Sequence, residues 1–225
     1  MIKMPVSLNG QIINERFHIV NKIGEGSFGE VYIALDKKSG RQVAIKTEST
    51  KAEYPQIAFE SFVMKELKGG PAMPKYYGYG CNKSLGVNFL ITGLLGPSLE
   101  DLFEICNRRF SIKTSCMILH QLIRLMCETH KRDFVHRDIK PDNFLVGYGE
   151  DTNRVHVIDF GLAKKYRDVI SGHIPFSDKK CLTGTARFAS LNSHRGLELS
   201  RRDDLEAIGN MVLYFVLGSL PWQNI

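Results

Sequence analysis

The chain of 225 residues has a formal charge of +6, a pI near 9.0 and 43% hydrophobic residues, enough apolar material for a sizeable core. The positive charge favours anionic partners such as nucleotides, acidic proteins or nucleic acids, without choosing among them. Five cysteines without a C-x-x-C pair argue against a disulfide framework or a zinc site and favour a reducing, intracellular compartment.

The amino-terminal extension, residues 1–16, lacks the apolar h-region of a secretory signal. The longest apolar run, Met211–Leu217, is much shorter than the ~20 residues that a membrane-spanning helix needs. We therefore expect no membrane passage, and we interpret the run as a buried core helix.

From Phe17 to Thr92 the apolar pattern is mostly that of β-strands. Apolar residues alternate with others in Val31–Leu35, and Val43–Ile45 forms a second short apolar run. One helix interrupts the strands, from about Ile57 to Lys68, and the breaker Gly69–Pro71 ends it. This half of the chain predicts a sheet with one helix.

After Thr92 the pattern becomes mainly helical. Ser98 followed by Asp101 is a capping-box signal that opens a short helix. A longer helix is indicated by residues at helical spacing, namely Ile112, Cys116, Leu119, Ile123, Met126 and His130. The segment Gly93–Pro97 is the expected flexible join between the strands and the helices.

A glycine-rich segment at residues 24–31 reads Gly-Glu-Gly-Ser-Phe-Gly-Glu-Val and follows a strand-like stretch. Its glycines would let backbone amides close over a triphosphate. A dinucleotide-binding turn uses the same G-x-G-x-x-G spacing but leads into a helix, whereas Val31–Leu35 indicates another strand. A glycine-rich hairpin without a ligand is the simpler alternative.

Lys46 ends the sequence Val-Ala-Ile-Lys on the next strand, where its ammonium could reach the α- and β-phosphates of a nucleotide. Glu60 lies on the apolar face of the predicted helix, where a buried carboxylate needs a partner. We expect a Lys46–Glu60 ion pair. The alternatives are a solvated Glu60 and a pair formed by Glu66 instead.

The segment 136–143 reads His-Arg-Asp-Ile-Lys-Pro-Asp-Asn, and residues 155–161 end in Asp-Phe-Gly. Asp138 is suited to orient an attacking hydroxyl group and to accept its proton. Asn143 and Asp159 are hard oxygen ligands of the kind that hold Mg²⁺ against phosphates. Lys140 is suited to stabilise a transferring phosphoryl group.

Together these segments resemble a eukaryotic protein kinase from about Phe17 onward. The resemblance implies an α+β, bilobal fold, with an amino-terminal antiparallel β-sheet lobe containing one helix and a mainly helical carboxy-terminal lobe. It also implies a catalytic aspartate at Asp138, with ATP and Mg²⁺ as cofactors. The two lobes would be residues 17–92 and 98–225, joined by a hinge at 93–97. Within the second lobe the resemblance places a catalytic loop at 134–143, an activation segment at 159–192 and a core helix at about 203–217.

Two residues resemble the serine/threonine class of these kinases. Lys140 lies two residues after Asp138, and Thr185 matches the threonine that contacts the catalytic aspartate in that class. Asp204 matches the aspartate that braces the catalytic loop from the core helix.

Further segments are similar to the casein kinase I family: residues 95–102, 161–168, 173–176, 182–190, 200–204 and 218–223. Ser190-Leu191-Asn192 stands where other kinases have Ala-Pro-Glu, and it is similar to the Ser-Ile-Asn of that family.

The resemblance also places Thr92 at the back of the adenine pocket and Gly93–Leu95 at the hinge. Gly93 departs from the glutamate usual in the family. The implied nucleotide-binding set is Ile23, Gly24, Glu25, Gly26, Ser27, Phe28, Gly29, Glu30, Val31, Ala44, Lys46, Glu60, Thr92, Gly93, Leu95 and Leu145.

Residues 161–202 contain nine lysines and arginines against three acidic residues, which predicts a positive field near a peptide substrate unless this is only a solvated charged face. By resemblance, Arg137, Lys164 and Lys180 form one anion pocket and Arg187 belongs to another. We expect acidic or already phosphorylated protein substrates, and no requirement for phosphorylation of the activation segment.

Three other functions compete. A kinase-like binding module with little activity is one, since the sequence stops at Ile225 whereas casein kinase I members continue through further helices, leaving part of the long helix uncovered. Nucleic-acid binding lacks a recognition motif, and a small-molecule kinase would not explain Lys140 or residues 182–190. The expected protein is a monomer of cytoplasm or nucleus that binds neither nucleic acid nor membrane.

Overall fold

The computed structural model describes residues 8–26, 29–70 and 73–223. The chain divides into two compact units, Met1–Lys65 with Pro74–Leu94, and Glu66–Met73 with Leu95–Ile225. The division after Leu94 lies within the predicted hinge range, 93–97. Residues 66–73 belong to the second unit, whereas the sequence analysis placed them in the first.

The first unit is built on an antiparallel sheet that has six strands in the described part of the chain, in the order β1-β2-β3-β4-β6-β5. The strands are β1 (Ile12–Ile13), β2 (Phe17–Gly26), β3 (Gly29–Asp36), β4 (Gln42–Ser49), β5 (Tyr76–Asn82) and β6 (Val87–Gly93). Helix α1 (Ile57–Glu66) is the predicted helix and ends two residues earlier than expected, ahead of Gly69, whose φ is +80°.

The core face of β3 is opposite to the one that its apolar alternation suggests. Tyr32, Ala34 and Asp36 are buried, whereas Leu35 is exposed. Asp36 tolerates burial because Arg16 donates to its carboxylate from Nε at 2.6 Å and from Nη2 at 2.7 Å. The hydrogen bond from Arg16 holds the pKa of Asp36 well below its usual range.

The second unit contains four further helices among the described residues: α2 (Leu99–Ile105), α3 (Ile112–Lys131), α4 (Leu191–His194) and α5 (Arg201–Leu217). Short strands pair as β7 (Phe134–Val135) with β10 (Lys164–Lys165), β8 (Phe144–Val146) with β9 (Val155–Val157), and β11 (Arg167–Asp168) with β12 (Gly172–His173). The predicted capping box of α2 is confirmed, since Asp101 N donates to Ser98 Oγ at 3.0 Å and Ser98 N donates to Asp101 Oδ2 at 2.8 Å.

Helix α3 is confirmed as a helix, and of the residues whose spacing indicated it Met126 and His130 are buried. Its core contacts come from residues such as Ile118, Leu122 and Leu125, whereas Ile112 and Ile123 are exposed. Both sets recur at spacings of three and four residues, so periodicity alone did not distinguish the two faces.

The apolar run Met211–Leu217 lies in α5, as predicted, but only one side of it is buried. Met211, Tyr214 and Phe215 are buried, and Leu213 and Leu217 are exposed by 47% and 60%. The 3.6-residue period places these two leucines away from the buried stripe. Phe215 packs against the rings of two core phenylalanines, Phe103 and Phe110.

The five cysteines are free and exposed. None of the helices that the structure describes combines the length and the apolar character needed to cross a membrane.

Candidate active site

The described residues of the glycine-rich segment lie on β2 and β3, which form an antiparallel pair in the first unit. Gly24 pairs with Val31, and Gly26 pairs with Gly29. Strand β3 begins at Gly29, which excludes the helix that a dinucleotide-binding turn requires. Gly29 has φ +147°, and a Cβ there would lie 1.9 Å from Thr47 O, so glycine is needed for the close approach of the hairpin to β4. The predicted ligands Ser27 and Phe28 lie outside the described residues.

The predicted ion pair between Lys46 and Glu60 is confirmed. Lys46 Nζ lies 2.7 Å from Glu60 Oε2, and the Glu60 side chain is only 4% exposed. Glu66, the alternative partner, is exposed. Glu48 fixes the start of α1 by accepting hydrogen bonds from the backbone N–H groups of Gln56 and Ile57, at 2.8 and 3.1 Å, and this places Glu60 in the first turn.

The remaining predicted nucleotide ligands are spread along both units. On β2, Ile23 is 49% exposed, and Glu25 and Gly26 at the end of the strand are also exposed. Val31 on β3 and Ala44 on β4 are half-buried. Half-buried Thr92 and Gly93 end β6, and Gly93 N donates to Lys75 O at 2.7 Å. In the second unit Leu95 and Leu145 are half-buried, Leu145 on β8. Their roles stay predictions.

The carboxylate of Glu30 is engaged within the hairpin. It accepts hydrogen bonds from Lys22 Nζ and from Tyr32 Oη, both at 2.5 Å. The hydrogen bond from Lys22 lowers the pKa of Glu30. The side chain therefore stabilises the sheet next to the glycine-rich turn.

Asp138 is the centre of a hydrogen-bonded cluster in the second unit, where it is 7% exposed. Its Oδ1 accepts hydrogen bonds from Thr185 N at 2.9 Å and from Thr185 Oγ1 at 2.8 Å. Its Oδ2 lies 2.9 Å from Lys140 Nζ and 3.1 Å from Asn143 Nδ2. The structure thus brings together the three residues predicted as catalytic, Asp138, Lys140 and Thr185.

The loop that carries Asp138 is fixed by Asp204, which is 2% exposed in the first turn of α5. Asp204 accepts hydrogen bonds from the backbone N–H groups of His136 and Arg137, each at 2.9 Å, and contacts His130 Nε2 at 2.8 Å. These bonds hold Arg137 at a positive φ of 69°. The predicted bracing contact is confirmed, and it fixes the loop of Asp138, the aspartate predicted as catalytic, through a buried charged acceptor.

Asn143 and Asp159, the predicted metal ligands, are joined through the backbone. Ile158 N donates to Asn143 O at 3.0 Å. Asp159 is the next residue after Ile158, so this hydrogen bond keeps its backbone near that of Asn143. Asn143 Nδ2 donates to Asp138 O at 2.8 Å, which leaves Oδ1 as the ligand atom of the amide. Oxygen donors of this kind fit Mg²⁺.

Within the described residues there is no group of three or more His, Cys, Asp or Glu side chains placed to hold a metal.

The anion pocket of Arg137, Lys164 and Lys180 stays a prediction. The two lysines are brought together, but around a carboxylate: Glu198 Oε1 lies 2.8 Å from Lys164 Nζ, and Glu198 Oε2 lies 3.1 Å from Lys180 Nζ. Arg137 Nε donates to Leu162 O at 2.7 Å. Sequence analysis counted Glu198 among the acidic residues of the segment, and nothing in the spacing indicated its partners.

Arg187, the other predicted anion ligand, lies over aromatic rings. Its guanidinium carbon is 5.4 Å from the ring centre of Phe188 and 5.6 Å from that of Tyr214. Its carbonyl accepts a hydrogen bond from Trp222 Nε1 at 2.8 Å. Among the described residues no carboxylate forms an ion pair with Arg187, in contrast to Lys164 and Lys180.

Sequence analysis missed the role of Asp203. Its Oδ1 accepts hydrogen bonds from Ser190 Oγ and from Asn192 Nδ2, both at 2.9 Å, and its Oδ2 accepts from Ser200 N at 2.7 Å. The Ser-Leu-Asn sequence thus anchors the end of the predicted activation segment to the first turn of α5.

Gly184 gives a direct test of the Asp138–Thr185 contact. It has φ +86°, and an added Cβ would lie 2.3 Å from Arg137 O, so Gly184→Ala must move the backbone next to Thr185. We expect kcat for the predicted phosphoryl transfer to fall by roughly a hundredfold, the order expected for an ångström-scale misplacement. Gly149→Ala is the matched control, because Gly149 has a similar φ of +71° with nothing within 4 Å. Equal losses in steady-state assays would mean that backbone strain, and not this contact, is responsible.

The aspartate loop fixed by Asp204 in the second unit, and the lysine ion-paired to a helical glutamate in the first, are each features that phosphoryl-transfer enzymes use. A family model described as "Protein kinase domain" matches residues 17–225. The chain therefore belongs to the protein kinase family. This confirms the predicted fold class, an antiparallel sheet unit followed by a mainly helical unit. Membership implies phosphotransferase activity with ATP, typically together with Mg²⁺, on protein substrates.

Proposed function

We propose that this protein is a serine/threonine kinase of casein kinase I type, which transfers the γ-phosphoryl group of ATP to serine or threonine in acidic or already phosphorylated proteins. The observation that carries the proposal is the two-point contact of Thr185 with Asp138 Oδ1, with Lys140 Nζ 2.9 Å from the other carboxylate oxygen. By resemblance, both residues are typical of the serine/threonine class.

The residues divide the chemistry among them. Asp138 accepts a hydrogen bond from the substrate hydroxyl and takes up its proton as the oxygen bonds to the γ-phosphorus and the bond to the β,γ-bridging oxygen breaks, releasing ADP. Lys140 supplies positive charge beside Asp138, and Lys46, positioned by Glu60, binds the α- and β-phosphates. Asn143 and Asp159 would hold Mg²⁺, which when bound neutralises phosphate charge.

The contacts of Asp203 support the casein kinase I assignment. This assignment depends partly on Ser190-Leu191-Asn192, and both polar side chains of that sequence bond to Asp203. The side chains of Ser190 and Asn192 therefore act together, as expected if this sequence anchors the activation segment in one kinase subfamily.

The preference for acidic substrates is supported by the excess of basic residues in 161–202 and by the environment of Arg187. The guanidinium of Arg187 lies over two rings, and a guanidinium can form bidentate bonds to phosphate. From resemblance alone we further propose a monomeric enzyme of the cytoplasm or nucleus, with roles in signalling, DNA repair or vesicle traffic.

The test uses purified protein, labelled ATP, Mg²⁺ and peptides that differ only in an upstream serine or phosphoserine. We expect kcat/KM to be about tenfold higher for the phosphoserine peptide, because one charge-assisted hydrogen bond contributes about that much. Equal values would contradict the substrate preference. Transfer to a tyrosine acceptor at the same rate would contradict serine/threonine specificity, and ATP binding without transfer would favour a kinase-like binding module.

A further inference from the structure

Glu48 is a buried carboxylate that joins the start of α1 to the sheet of the first unit. It is 4% exposed. Its Oε2 accepts hydrogen bonds from Gln56 N at 2.8 Å and from Ile57 N at 3.1 Å. Its Oε1 accepts from Asn88 Nδ2 at 3.1 Å, and Asn88 lies on β6 directly opposite Glu48 in the pairing of β4 with β6. One carboxylate therefore connects two strands with the first residues of the helix.

The hydrogen-bond donors suit a carboxylate that has been taken out of water. Gln56 N and Ile57 N lie at the amino end of α1, where backbone N–H groups lack an acceptor within the helix and the helix dipole favours negative charge. A buried carboxylate without such donors would be costly. Glu48 and the first turn of α1 thus stabilise each other, and this fixes the point on β4 at which the helix begins.

The same strand carries Lys46, two residues before Glu48, so both side chains lie on one face of the sheet. Lys46 Nζ lies 2.7 Å from Oε2 of Glu60 in the first turn of α1, and Glu60 N donates to Gln56 O at 2.9 Å. Helix α1 is therefore attached to this face of β4 at two points, by the hydrogen bonds to Glu48 and by the ion pair. A shift in the start of the helix would move the carboxylate that holds the Lys46 ammonium.

We propose that Glu48 is a positioning residue for Lys46. By fixing where α1 begins it places Glu60, and Glu60 in turn holds the Lys46 ammonium where the α- and β-phosphates of a nucleotide bind. The inference rests on the phosphate-binding role of Lys46 in the proposed function. Because Glu48 acts through the ion pair and not through the ligand, its loss weakens binding of the phosphates and leaves binding of the nucleoside unchanged.

The test compares ADP with adenosine by isothermal titration calorimetry on the full chain with Mg²⁺ present. ADP carries the two phosphates that Lys46 is proposed to bind, and adenosine carries none. Glu48→Leu keeps the approximate size of the side chain but removes its acceptors. We expect it to bind ADP about tenfold more weakly than the wild type, the order of one lost hydrogen bond to a charged group, and adenosine within about twofold of the wild type.

Two results would overturn the proposal. Equal losses for ADP and adenosine would mean that Glu48 only supports the fold of the first unit. An unchanged affinity for ADP would mean that the start of α1 does not control the ammonium of Lys46. Should Glu48→Leu not fold, Glu48→Asp gives the same comparison, because its carboxylate is one methylene group short of the helix amides. It should again weaken ADP binding and spare adenosine, and unchanged ADP binding would again overturn the proposal.

Glu48→Gln is the conservative variant, since its amide oxygen can still accept from both helix N–H groups. We expect most of the ADP affinity to return, to within about threefold of the wild type. A loss as large as that of Glu48→Leu would assign the effect to charge instead of these hydrogen bonds and overturn the proposal. Glu53→Leu is the matched control, because Glu53 is an exposed glutamate in the segment between β4 and α1. It should bind both ligands like the wild type, and an ADP loss equal to that of Glu48→Leu would also overturn the proposal.

The background Lys46→Met/Glu60→Leu, which lacks the ion pair, gives an independent comparison. Adding Glu48→Leu to it should change the affinity for ADP by less than about twofold, because no pair remains to be positioned. A further loss as large as in the wild-type background would show that Glu48 acts without Lys46 and overturn the proposal. These titrations require neither phosphoryl transfer nor a protein substrate. A wild type that binds ADP but does not phosphorylate peptides would contradict the proposed function, while the comparison of ADP with adenosine would still decide the role of Glu48.

Discussion

Asp138→Asn is expected to lower kcat for protein phosphorylation by about 10²- to 10⁴-fold, the usual contribution of a positioned general base. Asparagine preserves the shape of the side chain and can still accept from Thr185, so the loop should keep its conformation. It cannot take up the hydroxyl proton, and it places no negative charge next to Lys140, which lies 2.9 Å away. Steady-state kinetics with labelled ATP, alongside thermal unfolding, measures both consequences.

Asp142→Asn is the matched control, because Asp142 is an exposed carboxylate in the same loop. We expect its kcat to stay within about twofold of the wild type, as for an exposed substitution away from the chemistry. If both variants lost activity equally, the loss would come from the loop as a whole, and the assignment of Asp138 as the catalytic carboxylate would be wrong.

Contacts between buried charges and motif residues could be predicted from the sequence. Glu60 on an apolar helix face required a cation, and Lys46 was the residue that the phosphate chemistry already placed on a neighbouring strand. Asp204 and Thr185 were assigned their contacts with the catalytic loop by resemblance, and both contacts are present. These predictions succeeded because an ionised group taken out of water tolerates few arrangements.

Faces of secondary-structure elements were harder to predict. In α3 the residues Ile112 and Ile123 have the same spacing as the buried Ile118 and Leu122, yet they are exposed. In β3 the buried set includes Asp36, which no hydrophobic pattern selects and whose burial is compensated by hydrogen bonds from Arg16, Lys38 N and Ser39. Periodicity gives the type of element, but the choice of face depends on partners that are distant in sequence.

Glu198 and Asp203 show the same limit within the site. Glu198 pairs with residues 34 and 18 positions earlier, and Asp203 with residues 13 and 11 positions earlier. No local motif encodes such distances, which depend on how the activation segment returns to the start of α5. The count of nine basic against three acidic residues therefore overstated the free positive charge of the segment.

The second large effect concerns the Lys46–Glu60 pair. Its loss should lower both the free energy of unfolding and the rate of phosphoryl transfer, for two different reasons. Lys46→Met removes the ammonium 2.7 Å from a glutamate whose side chain is 4% exposed. We expect a loss of roughly 3 kcal/mol in the free energy of unfolding, because a carboxylate stays buried after its cation is removed. Phosphoryl transfer should fall by at least about a hundredfold, since the lysine no longer binds the α- and β-phosphates.

The double variant Lys46→Met/Glu60→Leu decides between the two roles of the pair. Replacing both charges by apolar side chains removes the cost of the buried carboxylate, so urea unfolding should show most of the lost stability restored. Activity should stay as low as in Lys46→Met, because no ammonium is present to bind phosphate. Recovery of both properties together would mean that Lys46 acts only through the fold. Recovery of stability alone assigns the pair a direct part in nucleotide binding, with Glu60 acting as the residue that positions Lys46.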